Sequence, residues 1–300
     1  MQISTNTFFR QNTDALQELK TQTAQLQETI STGTKISVPS DDPVAFSNLA
    51  LLKARDARLT QYGRNINSAT QTLNLQENTL TQATNILTRL HELSIEGSNG
   101  TLSSSDRKLM AVEVRGLSAN LVSLANTQDS NGQPIFGGFQ SGEPFQQNPD
   151  GTVTYKGDSN QSQTTVADHE TVTVGLSGNE VFDRVPLPGG PSKSVFQIVK
   201  AMGDALANGD SPATQGDEIS AALNQVTGEL AVVGSRTATL NNAQDNLTST
   251  QTENTAQMSL LEDTDVTKAV SDLTQKMTTM DAAQASFVKI AGMSLWNYLK

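Results

Sequence analysis

Three hundred residues, 35% of them hydrophobic but only 4% aromatic, are length enough for two or three domains and thin material for one large packed core, so an elongated molecule is expected. A net charge of -11 and a pI near 4.6 weigh against nucleic acid or an anionic membrane as partner, because counterion release needs clustered Lys and Arg. The absence of cysteine excludes a disulfide framework, thiolate metal sites and a cysteine nucleophile. No run of about twenty apolar residues would cross a bilayer, and the opening MQISTNTFFRQ lacks the basic region and apolar core of a cleavable secretory signal.

In chain order, the first element is a helix with a thin seam. Phe9, Leu16, Leu19, Leu26 and Ile30 fall on one coiled-coil register, with Asn12 and Thr23 in the remaining seam positions. Gly33 stands where a left-handed C-cap residue ends such a helix. In the stretch Pro39, Ser40, Asp41, Asp42, Pro43, the second proline suits a first helical position, and the carboxylate before it suits the free amides of the new helix. Two adjacent acids with no histidine or third acid beside them are read as caps, not as a metal or acid-base site. The second helix carries Leu52, Leu59, Tyr62, Ile66, Ala69, Leu73, Leu80, Ala83, Leu87 and Leu90 on its seam, interrupted by Arg55 and Gln76. GSNGTLSSS (97–105) breaks it, and Ser105 with Asp106 marks the start of a third helix with Met110, Val114, Leu117, Leu121 and Leu124 inward.

From Asp129 to Ser192 the chain turns rich in Gly, Pro and Asn around short β-branched runs, including an alternating TVTVGLSGNEVF (171–182), and hairpins are predicted. A short helix near Val195–Leu206 follows. A fourth seam then runs through Ile219, Leu223, Val226, Leu230, Val233, Leu240, Leu247, Met258 and Leu261. A fifth takes Val266, Val270, Leu273, Met277, Met280, Phe287 and Ala291, with Gln284 breaking it. The fold class is therefore mainly α with a β-rich insertion: an antiparallel coiled-coil or helical bundle built from both chain ends, with a small β domain in the middle. Three domains are expected: residues 1–40 with 263–300, residues 41–128 with 193–262, and residues 129–192.

Candidates for chemistry are few. DSNG (129–132) lacks the glycine and glutamate spacing of a calcium loop and reads as a turn. DHE (168–170) cannot converge on one ion from a strand, and His91, one position beyond a seam residue, reads as part of a solvated helix face. No phosphate loop, nucleophile elbow or dinucleotide fingerprint is present. An enzyme is not expected, and no cofactor or metal site is assigned.

The punctuated segment carries a resemblance. STGTKISVPSDDPVAFSNLALL (31–52) resembles the signature of the bacterial flagellin superfamily. Its PSDDP form, with SNGTLSSSDR (98–107), LANTQDSNGQPIFGGFQSGEPF (124–145), YKGDSNQ (155–161), VGLSGNEVF (174–182) and AGMSLWNYL (291–299), is similar to the hook-associated branch at the hook-filament junction. The closing SLWNYLK departs from the tails of filament flagellins. The resemblance implies a structural protein exported through the flagellar type III apparatus and assembled as one layer between hook and filament. The implied partners are other copies of itself in a ring-like layer, the other junction protein, flagellin and an export chaperone. It also implies that the terminal helices, about Met1–Ile30 and Val266–Lys300, carry assembly. Filament flagellin, or a secreted binding module acting through the β insertion, are the competing readings. The thin terminal seams add an expectation of their own: as isolated helices they are marginal in water, so the ends should fold on assembly.

Overall fold

The computed structural model describes the backbone of residues 2–298 and the side chains of residues 7 and 9–290. In chain order it contains α1 (Gln2–Thr32), α2 (Pro43–Gly97), α3 (Ser104–Ala125), β1 (Phe145–Gln147), β2 (Val153–Tyr155), β3 (Gln163–Ala167), β4 (Glu170–Thr173), α4 (Val195–Asn208), α5 (Ala213–Glu262) and α6 (Val266–Tyr298). The chain divides into two compact units, residues 1–58 with 250–300, and residues 59–249.

In the larger unit, Ile66, Leu73, Leu80, Leu87 and Leu90 of α2 and Ile219, Val226, Val233 and Leu240 of α5 are fully buried, as the heptad spacing predicts. The two helices run antiparallel. The Cβ position of Gly63 meets Leu247 at 3.4 Å, and that of Gly216 meets the Ser94 hydroxyl at 3.1 Å. Gln76, expected to interrupt the seam, is itself fully buried, with its amide nitrogen donating to the Val174 carbonyl at 3.0 Å. Its amide bond fixes where the insertion docks, while its side-chain oxygen is buried without a hydrogen-bond partner among the described residues, a cost the apolar row carries.

α3 starts two residues earlier than expected from Ser105–Asp106. Ser103 is the N-cap, and it forms a reciprocal capping box with Asp106. α3 packs on α4, itself opened by a Ser194–Gln197 capping box and closed by left-handed Gly209.

The insertion holds two antiparallel hairpins, β1 with β2 and β3 with β4, the second with a bulge between Thr165 and Ala167. DSNG is a turn as read, with the Asp129 carboxylate accepting from Asn131 N at 2.8 Å and Gln133 N at 2.9 Å. DHE sits at the β3–β4 turn, where His169 has φ 67°. His91 is half-buried on α2. The alternating run 171–182 corrects the hairpin expectation. Only its first residues are strand, and Asn179–Asp183 form a one-turn π-helix that delivers Val181 and Phe182 to the core. Phe182 packs edge-on against Phe136 and Phe145, and Phe145 and Phe182 both reach Phe196 of α4, with centroids 5.2–5.9 Å apart. Polar contacts add to this: Tyr62 donates to Asp168 at 2.7 Å, Asn65 to the Thr165 carbonyl at 2.8 Å, and Arg236 to the Gly175 carbonyl at 2.9 Å. The β segment is thus tied to α2, α4 and α5.

Candidate assembly site at the paired chain ends

The smaller unit contains the residues that sequence reasoning singled out. α1 ends at Thr32 because Gly33 takes φ 73° and its N–H turns back to the Thr29 carbonyl at 2.9 Å. The loop that follows is held by the two aspartates in different ways. One Asp42 oxygen accepts from Val44 N at 3.0 Å and Ala45 N at 2.9 Å, capping α2 directly ahead of Pro43. Asp41 does not cap. Its carboxylate turns back to Ser37 N at 2.9 Å and Val38 N at 3.0 Å, and these backbone donors, Val38 first, hold its pKa below the usual aspartate range. Pro39 and Ser40 lie exposed between these fixed points. A row of adjacent carboxylates therefore becomes one helix cap and one loop staple.

The loop is also pinned to the α5–α6 connection. Lys35 N donates to the Glu262 carbonyl at 2.8 Å and Thr264 N to the Gly33 carbonyl at 2.9 Å, around a Thr34–Asp263 bridge. The Lys35 ammonium reaches the Leu260 carbonyl at 2.8 Å, and Lys53 pairs with Glu262 at 2.7 Å. Asp265 then caps α6 through Lys268 N at 3.0 Å.

α1 and α6 pack antiparallel in one continuous register, with Phe9 opposite Phe287, Gln22 opposite Lys276 and Thr34 opposite Asp263. The Phe9 and Phe287 rings meet edge-on with centroids 5.4 Å apart. On α1 the seam runs as read: Phe9, Leu16, Leu19, Leu26 and Ile30 face inward but are only half-buried. The most buried side chain of the row is Thr23, 7% exposed, which satisfies its hydroxyl on the Leu19 carbonyl at 2.8 Å and offers its methyl to the seam.

On α6 the seam is rotated from the expected one. Ala269 is buried and Leu273, Lys276, Met280, Ala283 and Phe287 are half-buried, whereas Val266, Val270 and Met277 are 43–49% exposed. The two rows share Leu273, Met280 and Phe287. Ala291 has its backbone in α6, and its side chain lies outside the described residues. An open groove of about 560 Å³ runs between the helices, bordered by Leu19, Gln22, Leu26, Thr29, Asp272 and Lys276.

Among the described residues no group of three His, Asp or Glu side chains could hold a metal ion. What the geometry offers is a two-helix surface with apolar residues half out of water, rigidly referenced to a capped loop. A chain whose two ends return to one another as such a pair, with a β-bearing segment between, has the layout of a helical assembly protein.

Comparison with known proteins makes the class specific. The model of the bacterial flagellin N-terminal helical region matches residues 3–141, and that of the C-terminal helical region matches residues 217–299. The chain belongs to the flagellin family. It is 29% identical over 317 residues to flagellar hook-associated protein 3 of Salmonella typhimurium, spanning 99% of each chain. Flagellin B of Vibrio anguillarum is 30% identical over 124 residues, covering 41% of this chain and 33% of its own. Among solved structures, the flagellar junction protein of Legionella pneumophila superposes with TM-score 0.62 at 21% identity, over 72% of this chain and all of its own, a likeness of fold.

Proposed function

We infer that the chain is a structural, non-catalytic component of the bacterial flagellum, outside the cell, forming the junction layer between hook and filament. The observation that carries this is similarity over essentially the whole length to a hook-associated protein, against similarity to a flagellin over little more than a third of the chain. Filament flagellin is therefore disfavoured. A binding module acting through the insertion is disfavoured too, because the insertion shares its aromatic core with α4.

The finer reading is that assembly runs through the terminal helices. Its seam residues are Phe9, Leu16, Leu19, Leu26 and Ile30 on α1 and Leu273, Met280 and Phe287 on α6, with Val266, Val270 and Met277 available to neighbouring copies and Ala291 kept from the sequence reading. The support is energetic. A two-helix seam with no fully buried large side chain among those described gains little from water exclusion, so neighbouring copies in a ring-like layer would supply the missing burial. The other junction protein and flagellin would meet its two faces, an export chaperone would cover the seam before assembly, and the chain would leave the cell through the flagellar export apparatus.

Limited proteolysis of the purified monomer, with fragments identified by mass, tests this reading. Trimming to a resistant core that starts near Pro39–Pro43 and ends near Glu262 is the expected outcome. A monomer whose full length resists would mean the terminal seam is already satisfied within one molecule, and assembly through it would have to be abandoned.

A further inference from the structure

The chain contains three Asn-Gly pairs, at 99–100, 131–132 and 208–209, and the fold treats them unequally. Cyclisation at such a pair needs the glycine N–H free, so that its nitrogen can approach the asparagine side-chain carbon, and a carbonyl oxygen able to take up charge. Gly132 N is held by the Asp129 carbonyl at 3.0 Å, and buried Gly209 N by the Leu206 carbonyl at 3.0 Å, directly after the last residue of α4. Gly100 differs. Among the described residues no acceptor stands against its N–H, and nothing lies within 4 Å of the place its Cβ would occupy.

The neighbouring carbonyl is also polarised. Asn99 Oδ1 accepts from Thr101 N at 3.1 Å and from the Thr101 hydroxyl at 2.9 Å, two donors on the atom where charge develops during attack. We propose that Asn99 is a self-modification site, converting to aspartate and isoaspartate through a cyclic imide formed with Gly100.

The Gly100 nitrogen loses its proton and bonds to Asn99 Cγ, and the side-chain nitrogen leaves as ammonia. Solvent water then opens either imide C–N bond, giving aspartate or its backbone-extended isomer. The fold already carries the aspartate product elsewhere: in Asp150-Gly151-Thr152, Thr152 N at 2.9 Å and the Thr152 hydroxyl at 2.6 Å both donate to Asp150 Oδ1. Aspartate at 99 therefore fits its turn. Isoaspartate does not, because the Asn99 carbonyl that Arg107 holds at 3.0 Å becomes a free carboxylate while the main chain leaves through the side-chain carbons, and the added carbon breaks the turn that brings Leu102 N to that oxygen at 3.1 Å. The modification thus ages the α2–α3 connection.

The test is incubation of the full chain at mildly alkaline pH in oxygen-18 water, followed by peptide mass mapping. Label should enter at Asn99 at least about fivefold faster than at Asn131 or Asn208, each of which must first surrender a backbone hydrogen bond. Thr101→Val should slow the reaction and Thr101→Ser should not, with helicity of both variants checked by circular dichroism. Label appearing first at Asn131 or Asn208, or Thr101→Val reacting at the unmodified rate, would overturn the proposal.

Discussion

Phe182 tests whether the insertion and α4 form one body. Its ring is fully buried, with centroids 5.3 Å from Phe136, 5.7 Å from Phe145 and 5.9 Å from Phe196. Truncating a buried aromatic to alanine costs about 3–5 kcal/mol, which already contains the edge-on ring contacts. For a unit of this size each kcal/mol lowers Tm by about 2–4 °C, so Phe182→Ala should melt about 6–20 °C lower. Phe139, 67% exposed in the same segment, is the control, and its alanine variant should stay within about 0.5 kcal/mol. Calorimetry gives the cost, and amide exchange gives its distribution: protection should fall together in β1, the Asn179–Asp183 turn and α4. The reasoning fails if Phe182→Ala costs under about 1 kcal/mol, or if the insertion opens while α4 keeps its protection.

Four further outcomes follow from the geometry. Asp42→Ala should cost about 0.5–2 kcal/mol from the lost cap, read by denaturant titration of the monomer, and Gly33→Ala about 1–2 kcal/mol from left-handed strain alone, since nothing lies within 4 Å of the added methyl, read as weaker assembly of the full chain. Leu19→Asp with Leu26→Asp should leave monomer helicity largely intact while abolishing filament attachment seen by electron microscopy; normal filaments would remove α1 from the assembly surface. Backbone donors hold Asp41 and Asp158 below the usual aspartate range, and the Thr152 hydroxyl and N–H do the same for Asp150. A depressed native pKa contributes stability that is complete above the unfolded value, about 4, and is lost as pH falls through the native one. Stability should therefore drop below about pH 4, and less steeply in Asp158→Asn. Glu229 runs the other way. Burial, then Glu180, raises its pKa, so its charge opposes folding at neutral pH, and Glu229→Gln should stabilise the protein there, as thermal melts at pH 7 and below pH 4 would show.

The sequence by itself determined where helices begin and end, because that information is local. Gly33 supplies a left-handed residue, and Pro43 behind Asp42 supplies a fixed φ and a cap. It also determined the phase of α1, α2 and α5, where most large aliphatic residues sit on one row. α6 offered two overlapping rows that share Leu273, Met280 and Phe287. Hydropathy preferred the one with Val266, Val270 and Met277, but the tertiary contact chose the one with small Ala269 and with Lys276 bonded to Gln22. Gln76 and Phe182 escaped for the same reason. Each is placed by partners distant in the chain, Val174 for one and Phe136, Phe145 and Phe196 for the other, and periodicity carries no record of a partner that far away.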